Sequence, residues 1–303
     1  MSITFDDGNT RFKDGSTPLN DTNLNKLLDL ALQKISSRDR NIADIAVISR
    51  VDFSTLSEKN SNTLYFTFRR PLADYSWSEI AQISESGQAQ ERFIVGEKKD
   101  ILLNTGEIIT VKILGFNHDF IWDTANLFHT DKRAGVTFGM SNLLTEQQQR
   151  PEESGPFNQN SWFDVMFSQL PLELQAVIKD INKTRATEAF DGIIPILLPK
   201  KLFLFSAREI GNLVSLSNNP MLGIPPLTDE GTQYEYWRTV RDGTFPADRI
   251  KRLSNGAGVP NMWWLRAPIE GRNNVVSSVF NADGFFTTHL THLLGGICLG
   301  FCI

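Results

Sequence analysis

Apolar positions along this chain fall into short periodic runs separated by polar, glycine- and proline-rich stretches. The first run places Leu24, Leu27, Leu28, Ala31 and Ile35 at helical spacing behind Asp21 and Thr22, either of which can cap a helix. From Ile45 to Pro71 the pattern shortens to strands, with "TLYFTFRR" the clearest alternation. A second helix is expected where Trp77, Ile80, Ala81 and Ile83 share a face before Gly87. A strand "RFIVG" follows, then a hairpin "DILLNTGEIITVKILGF" turning at Asn104 to Gly106. Residues 145 to 160 read as a polar loop, "LPLELQAVIKDINK" as a helix with Pro171 in its first turn, and residues 215 to 232 as a long loop. Strands close the chain around residues 263 to 266, 275 to 280 and 297 to 303.

Two length scales emerge from this pattern. The strands before Pro71 cannot enclose a large core, so residues 1–72 form a small module and residues 73–303 a larger α+β domain. A lone amphipathic helix as short as 24–35 needs a partner, either its own domain or a parallel bundle of copies, and Leu24, Leu27, Leu28 and Ile35 are its candidate oligomerisation contacts.

Composition narrows the functional classes. With 41% hydrophobic and 21% charged residues the chain of 303 residues has the balance of a soluble globular protein. A net charge of -5 without a basic stripe argues against nucleic acid as a partner. The start carries no basic and apolar leader pattern, and no run approaches the ~20 apolar residues of a membrane span, so neither secretion through a signal peptide nor membrane insertion is expected. Cys298 and Cys302 sit four apart on the terminal strand. Strand rise would separate them by about 13 Å, so two buried free thiols are expected, as in a chain made in a reducing cytoplasm.

Seven segments, in order, carry a resemblance: "RFIVGEKKDILLNTGEIITVKILGFNHD", "GVTFGM", "LPLELQAVIKDINK", "KLFLFSAREI", "GTQYEYW", "RIKRLSNG" and "WWLRAP". Together they resemble a domain of unknown function common in minor structural and tail proteins of phages and prophages of Gram-positive bacteria, itself similar to the C-type-lectin-like fold. The resemblance covers about residues 75 to 303, with Ala267 standing where that family carries a serine. "FKDGSTPLNDTNLNKL" is similar to the start of phage baseplate and tail-appendage proteins, where such a segment leads a module that fastens the subunit to the particle. The fold so implied is an N-terminal attachment module followed by a C-type-lectin-like domain. It puts the "WWLR" strand at the centre of that domain, with at least one of Trp263 and Trp264 in the core and Arg266 bracing a neighbouring loop.

Candidate chemistry is sparse. His289 and His292 fall on opposite faces of a strand without a third ligand nearby, so no metal site is expected there. "SNNPML" and "NADG" offer oxygen donors but not the paired acidic and amide set of the calcium-dependent lectins. His118, between Asn117 and Asp119, reads as a hydrogen-bonded corner between strands. Glu152, Glu153 and Asp164 lie in or beside a loop with nothing to set one carboxyl apart from another, and the cysteines sit beside Leu299 and Phe301 as packing residues. No enzyme activity and no cofactor are expected.

What remains is recognition. The resemblance implies a virion protein of a tail or baseplate, made in the cytoplasm of the bacterial host, that joins other virion proteins and copies of itself, a trimer favoured. It binds a surface carbohydrate or protein on the host; the rival reading is a purely architectural virion protein. The binding surface expected lies between "WWLRAP" and the terminal strand. There Phe285, Phe286, His289 and His292 offer flat faces, Arg272, Asn273, Asn274, Asn281 and Asp283 offer donors and acceptors, and Trp237 and Arg241 border the same face. Strand alternation would bury one of the two phenylalanines.

Overall fold

Ser76 starts the larger domain's first helix by a reciprocal capping box with Glu79, its hydroxyl taking the Glu79 N–H at 3.2 Å while its own N–H meets Glu79 Oε2 at 2.7 Å. This helix, α1 (Trp77–Glu85), buries Trp77, Ile80, Ala81 and Ser84 and ends at Gly87, whose φ of 75° suits a residue without Cβ. In the computed structural model the described residues are 44–49, 63–122, 131–151, 162–187, 194–211, 231–243, 245–254, 258–268, 276–290 and 292–303. The chain divides into two compact units, Met1–Pro71 and Leu72–Ile303.

In the first unit β1 (Asp44–Ser49) and β2 (Thr63–Phe68) pair in parallel, from Asp44 opposite Thr63 to Ser49 opposite Phe68. The helix expected around Leu24, Leu27, Leu28 and Ile35 lies outside the described residues.

The second unit is built on an antiparallel sheet of five strands: β3 (Lys98–Leu102), β4 (Ile108–Phe116), β5 (Val136–Met140), β14 (Leu299–Cys302) and β8 (Phe203–Leu204), in that spatial order. The C-terminal strand therefore runs through the sheet interior, and residues 297 to 303 are buried without exception. Helix α1 lies on this sheet, with Trp77 edge-on to Phe138 and Phe301, which stack on each other across β5 and β14 at 5.2 Å. Gly139 and Gly300 face each other across the same two strands. A Cβ on Gly300 would lie 2.5 Å from the Phe203 ring, and one on Gly139 would lie 2.8 Å from that of Phe205. The paired glycines form a slot that two phenylalanine rings fill.

A second sheet holds β11 (Trp263–Pro268), β12 (Val276–Phe280) and β13 (Phe286–Leu290), all antiparallel. Both tryptophans of β11 are buried at 0% exposure although alternation sends them to opposite faces, because both faces are covered. Trp263 packs on Phe280 and donates its indole N–H to the Arg249 carbonyl at 3.1 Å. Trp264 donates to the Gln148 carbonyl at 3.0 Å and leaves no room for a Cβ on Gly295. Each ring thus fills space and satisfies its one donor, as buried tryptophan must.

Two short hairpins, β6 (Ile181–Thr187) with β7 (Ile194–Lys200) and β9 (Lys251–Arg252) with β10 (Pro260–Asn261), complete the sheets. The helices, α1, α2 (Ala89–Arg92), α3 (Trp162–Ser168), α4 (Leu172–Gln175), α5 (Ala207–Gly211) and α6 (Pro246–Arg249), are short and lie between groups of strands that pair antiparallel, so the unit is α+β.

Two expected elements differ. "LPLELQAVIKDINK" makes only the single turn α4; then Lys179 N–H bonds the Cys302 carbonyl, Trp122 N–H the Asp180 carbonyl and Asn182 N–H the Phe120 carbonyl, and β6 begins. Pairing with distant backbone overrides a helical pattern already weakened by Val177 and Ile178. "RFIVG" is a bend rather than a strand, since Phe93 turns into the core and Gly96 takes φ 90° before β3 starts at Lys98. Among the described residues no helix is long and apolar enough to cross a membrane.

Candidate functional site

The corner after β4 turns at Asn117, whose φ of 48° is the one positive value of a non-glycine among the described residues, and Arg133 braces it by donating to the His118 carbonyl at 2.7 Å. The turn drives Asp119 inward. There it meets Lys183 of β6, whose Nζ lies 2.5 Å from Asp119 Oδ1, 2.7 Å from Glu209 Oε1 of α5 and 2.6 Å from the Tyr234 hydroxyl. Glu209 Oε2 accepts from Arg266 of β11 at 3.2 Å, and the same guanidinium nitrogen donates to the Leu204 carbonyl at 2.8 Å. Asp119 Oδ2 accepts from the Thr137 hydroxyl of β5 at 2.7 Å, from Tyr234 at 3.1 Å and from the Cys302 thiol of β14 at 3.4 Å. The Lys183 ammonium also lies 4.1 Å from the Phe203 ring centre.

Two carboxylates and two cations thus share one enclosure with no net charge, and Asp119 is the most exposed of the four at 6%. Burial opposes each charge, and the partners decide the outcome. For Asp119, burial is outweighed by Lys183, then by His118 and the hydrogen bonds from Lys183 and Thr137, so the carboxyl titrates at about 2. Burial of Glu209 is outweighed by Arg266 and then Lys183, which lowers its pKa, and burial of Lys183 is outweighed by Asp119 and Glu209, which raises it. Burial and then the Asp119 charge push the Cys302 thiol and the Tyr234 phenol well above their ordinary ranges, so both keep their protons. The cluster's side chains bond one another and, through Arg266 and Glu209, the Leu204 and Ser206 backbone. Its chemical role is to lock β4, β5, β6, β11, β14 and α5 in one arrangement.

Sequence reading expected Arg266 to brace a loop, and the structure has it brace the β8–α5 segment. It missed Lys183, Tyr234 and Thr137. One signal was legible: Ser206 and Glu209 form the S-x-x-E spacing of a capping box, with the Ser206 hydroxyl taking the Glu209 N–H at 3.1 Å and the Ser206 N–H meeting Glu209 Oε2 at 3.0 Å. A glutamate at the third position of a helix, followed by the buried Ile210, is a carboxylate bound inward.

The expected recognition surface is only partly assembled. The β12–β13 turn is held by Asn281, whose Oδ1 takes the N–H groups of Asp283 and Phe285 at 3.0 and 2.8 Å. Gly284, at φ 79°, packs against the Pro246 carbonyl where a Cβ would collide. That contact sets the turn beside α6, where Asp248 pairs with the exposed Arg241 at 3.1 Å. Phe285 is 57% exposed and Asp283 is exposed, whereas Phe286 packs edge-on against Phe280. His289 lies 5.5 Å from the Trp264 ring, which alternation puts on the sheet face opposite Phe286, and burial lowers its pKa; His292 is exposed. Trp237 is corrected: it is 3% exposed, with the Lys112 ammonium 5.2 Å from its ring, and so belongs to the core rather than to the surface. Arg272, Asn273 and Asn274 lie outside the described residues. Among the described residues no group of three or more histidine, cysteine, aspartate or glutamate side chains is placed to hold a metal.

Residues 148–297 match a family described as a domain of unknown function, DUF6273. No curated protein and no solved structure matches the chain. The matched span contains Lys183, Glu209, Tyr234 and Arg266 together with the expected recognition surface, whereas Asp119, Thr137 and Cys302 come from outside it. The ionic cluster therefore ties the matched span to the strands on either side.

Replacing Lys183 by methionine leaves Asp119 without its cation and is expected to cost about 3–5 kcal/mol in denaturant unfolding. The exposed Lys179–Glu85 pair at 2.6 Å provides the contrast, since Lys179→Met should cost under about 1 kcal/mol. Acid should act in a defined window. The Asp119 pKa falls from 3.8 to about 2 on folding, so its contribution is present above about pH 4 and is lost as pH drops through about 2. Unfolding measured between pH 5 and 2, a window set by about those two values, should show a weaker pH dependence in Asp119→Asn than in the parent chain.

Proposed function

We propose that this chain is a virion protein of a phage or phage-derived particle, a tail or baseplate component that recognises the host surface without catalysis. In this reading the N-terminal unit fastens the subunit to other virion proteins and to its own copies, as a trimer. The larger unit is a C-type-lectin-like domain whose variable outer loops contact a bacterial surface glycan or protein.

The observation that carries this reading is the partition of polar chemistry in the larger unit. Five of its perturbed ionisable groups, Asp119, Lys183, Glu209, Tyr234 and Cys302, are sealed against one another in the interior, and Lys112 is buried apart from them against Tyr236 and Trp237. Its outer hairpin instead presents an exposed aromatic ring, Phe285, on a turn stiffened by Asn281 and beside Asp283 and Arg241. A rigid interior carrying an aromatic and polar surface is suited to binding, and several weak sites on one particle give avidity.

Phe285 tests the idea. Its exposure means that alanine there should leave the melting temperature nearly unchanged, while particle adsorption to host cells weakens tenfold or more, equivalent to about 1.4 kcal/mol. Phe286→Ala should instead lower the melting temperature through lost packing on Phe280. Full adsorption by the Phe285 variant would move recognition off this hairpin.

A further inference from the structure

A cleft of about 320 Å³ opens between the β3–β4 turn, residues 144–148 and α3. Its floor is apolar, made by Leu103, Leu144 and Met166, all buried. Its walls carry Trp162, half-buried and held edge-on by Phe163 at 5.4 Å, with Glu107, Glu146, Gln148 and Gln169.

Each wall is fixed by main-chain bonds rather than left to side-chain packing. The turn is clamped on α3 by Asn104, whose N–H bonds the Gln169 carbonyl at 2.8 Å and whose Nδ2 bonds that of Ser168 at 3.0 Å. Gln148 is fixed on three sides: its N–H meets the Gly295 carbonyl at 2.9 Å, its carbonyl takes the Gly295 N–H at 2.8 Å, and the Trp264 indole adds a third bond. Glu107 Oε1 accepts the Thr145 N–H at 2.8 Å and the Ser254 hydroxyl, which orients the carboxylate. Its second oxygen has no partner among the described residues, nor have the side-chain amides of Gln148 and Gln169 or the carboxylate of Glu146. The site is built before any ligand enters it.

We infer that this cleft binds a neutral pyranose residue of a glycan. Three features select that class. The half-buried Trp162 indole lines the cleft and supplies an aromatic surface for the C–H groups of a sugar ring. The side-chain amides of Gln148 and Gln169, the Glu146 carboxylate and the second oxygen of Glu107 match a ring of hydroxyls that both donate and accept. Among the described residues no lysine, arginine or histidine lines the cleft while two carboxylates do, so phosphates and acidic sugars meet repulsion there. No residue of the β12–β13 hairpin lines the site, and Trp264 reaches both, donating to the Gln148 carbonyl and packing against His289. That the glycan belongs to a host surface rests on the recognition reading above; the place of the site does not.

The test uses the full chain with soluble oligosaccharides of glucose, galactose and N-acetylglucosamine, titrated calorimetrically, beside adsorption to host cells. Trp162→Ala should weaken sugar binding about tenfold or more through lost stacking. Gln148→Ala keeps the main-chain bonds and should weaken it by roughly threefold to tenfold. Glu107→Gln keeps an acceptor for Thr145, so a drop in affinity with an unchanged melting temperature separates recognition from folding. Sugar affinity indifferent to all three cleft variants overturns this inference but leaves host recognition standing if cells still adsorb the protein. Cleft-dependent sugar binding by a protein that no host cell adsorbs supports the cleft and overturns host recognition. Tighter binding of a glycerol-phosphate polymer than of any neutral sugar overturns the ligand class, and absence of binding to every sugar overturns the site.

Discussion

The ammonium of Lys183 lies between two carboxylates delivered from Asp119 and Glu209, far apart in the chain, and the arrangement of the larger unit depends on that meeting. An unpaired charge in this interior would carry a desolvation cost larger than most single contacts repay, so the six elements that supply the cluster must arrive together or not at all. Such a cluster adds less net stability than an apolar core of the same volume would. What it supplies is register: it distinguishes the native placement of β5, β6, β11 and β14 from near-native slips that would bury the same apolar area but separate the charges.

This constraint separates scaffold from surface. With the ionic cluster holding the interior, the outer features, the β12–β13 turn and the cleft beside α3, are anchored to the scaffold by hydrogen bonds that involve the backbone. β11 links them, since Trp264 holds the Gln148 backbone on one side while the strand pairs with β12 on the other. The two adjacent tryptophans therefore serve architecture, and the recognition chemistry falls to residues they position.

Much of the framework was legible in the sequence because it rested on local rules. The apolar stripe of α1, the turn at residues 104–106 and the buried terminal strand with its two thiols follow from spacing and composition alone. Where tertiary pairing competed, local reading failed. Residues 176–183 carry a helical pattern but are captured by the 120–122 backbone, and Trp237, in a segment rich in aromatic and charged residues, is drawn inward under Lys112. Lys183 left no signal, since a lysine on a stretch read as helix is ordinarily solvated and nothing local reveals that Asp119 lies opposite. The cleft left little signal either, because its walls come from three separate segments and α3 stands just past residues read as loop.

Native-state hydrogen exchange tests the claim that the ionic cluster is the keystone. The amides bonded around it, Ala134 to the Asp119 carbonyl, Tyr234 to the Glu209 carbonyl and Arg266 to the Phe205 carbonyl, should exchange only through global unfolding. Those of Gly284 and Phe285 at the hairpin turn should exchange earlier, through local opening. Exchange of the cluster amides as early as that of the hairpin turn would contradict the account.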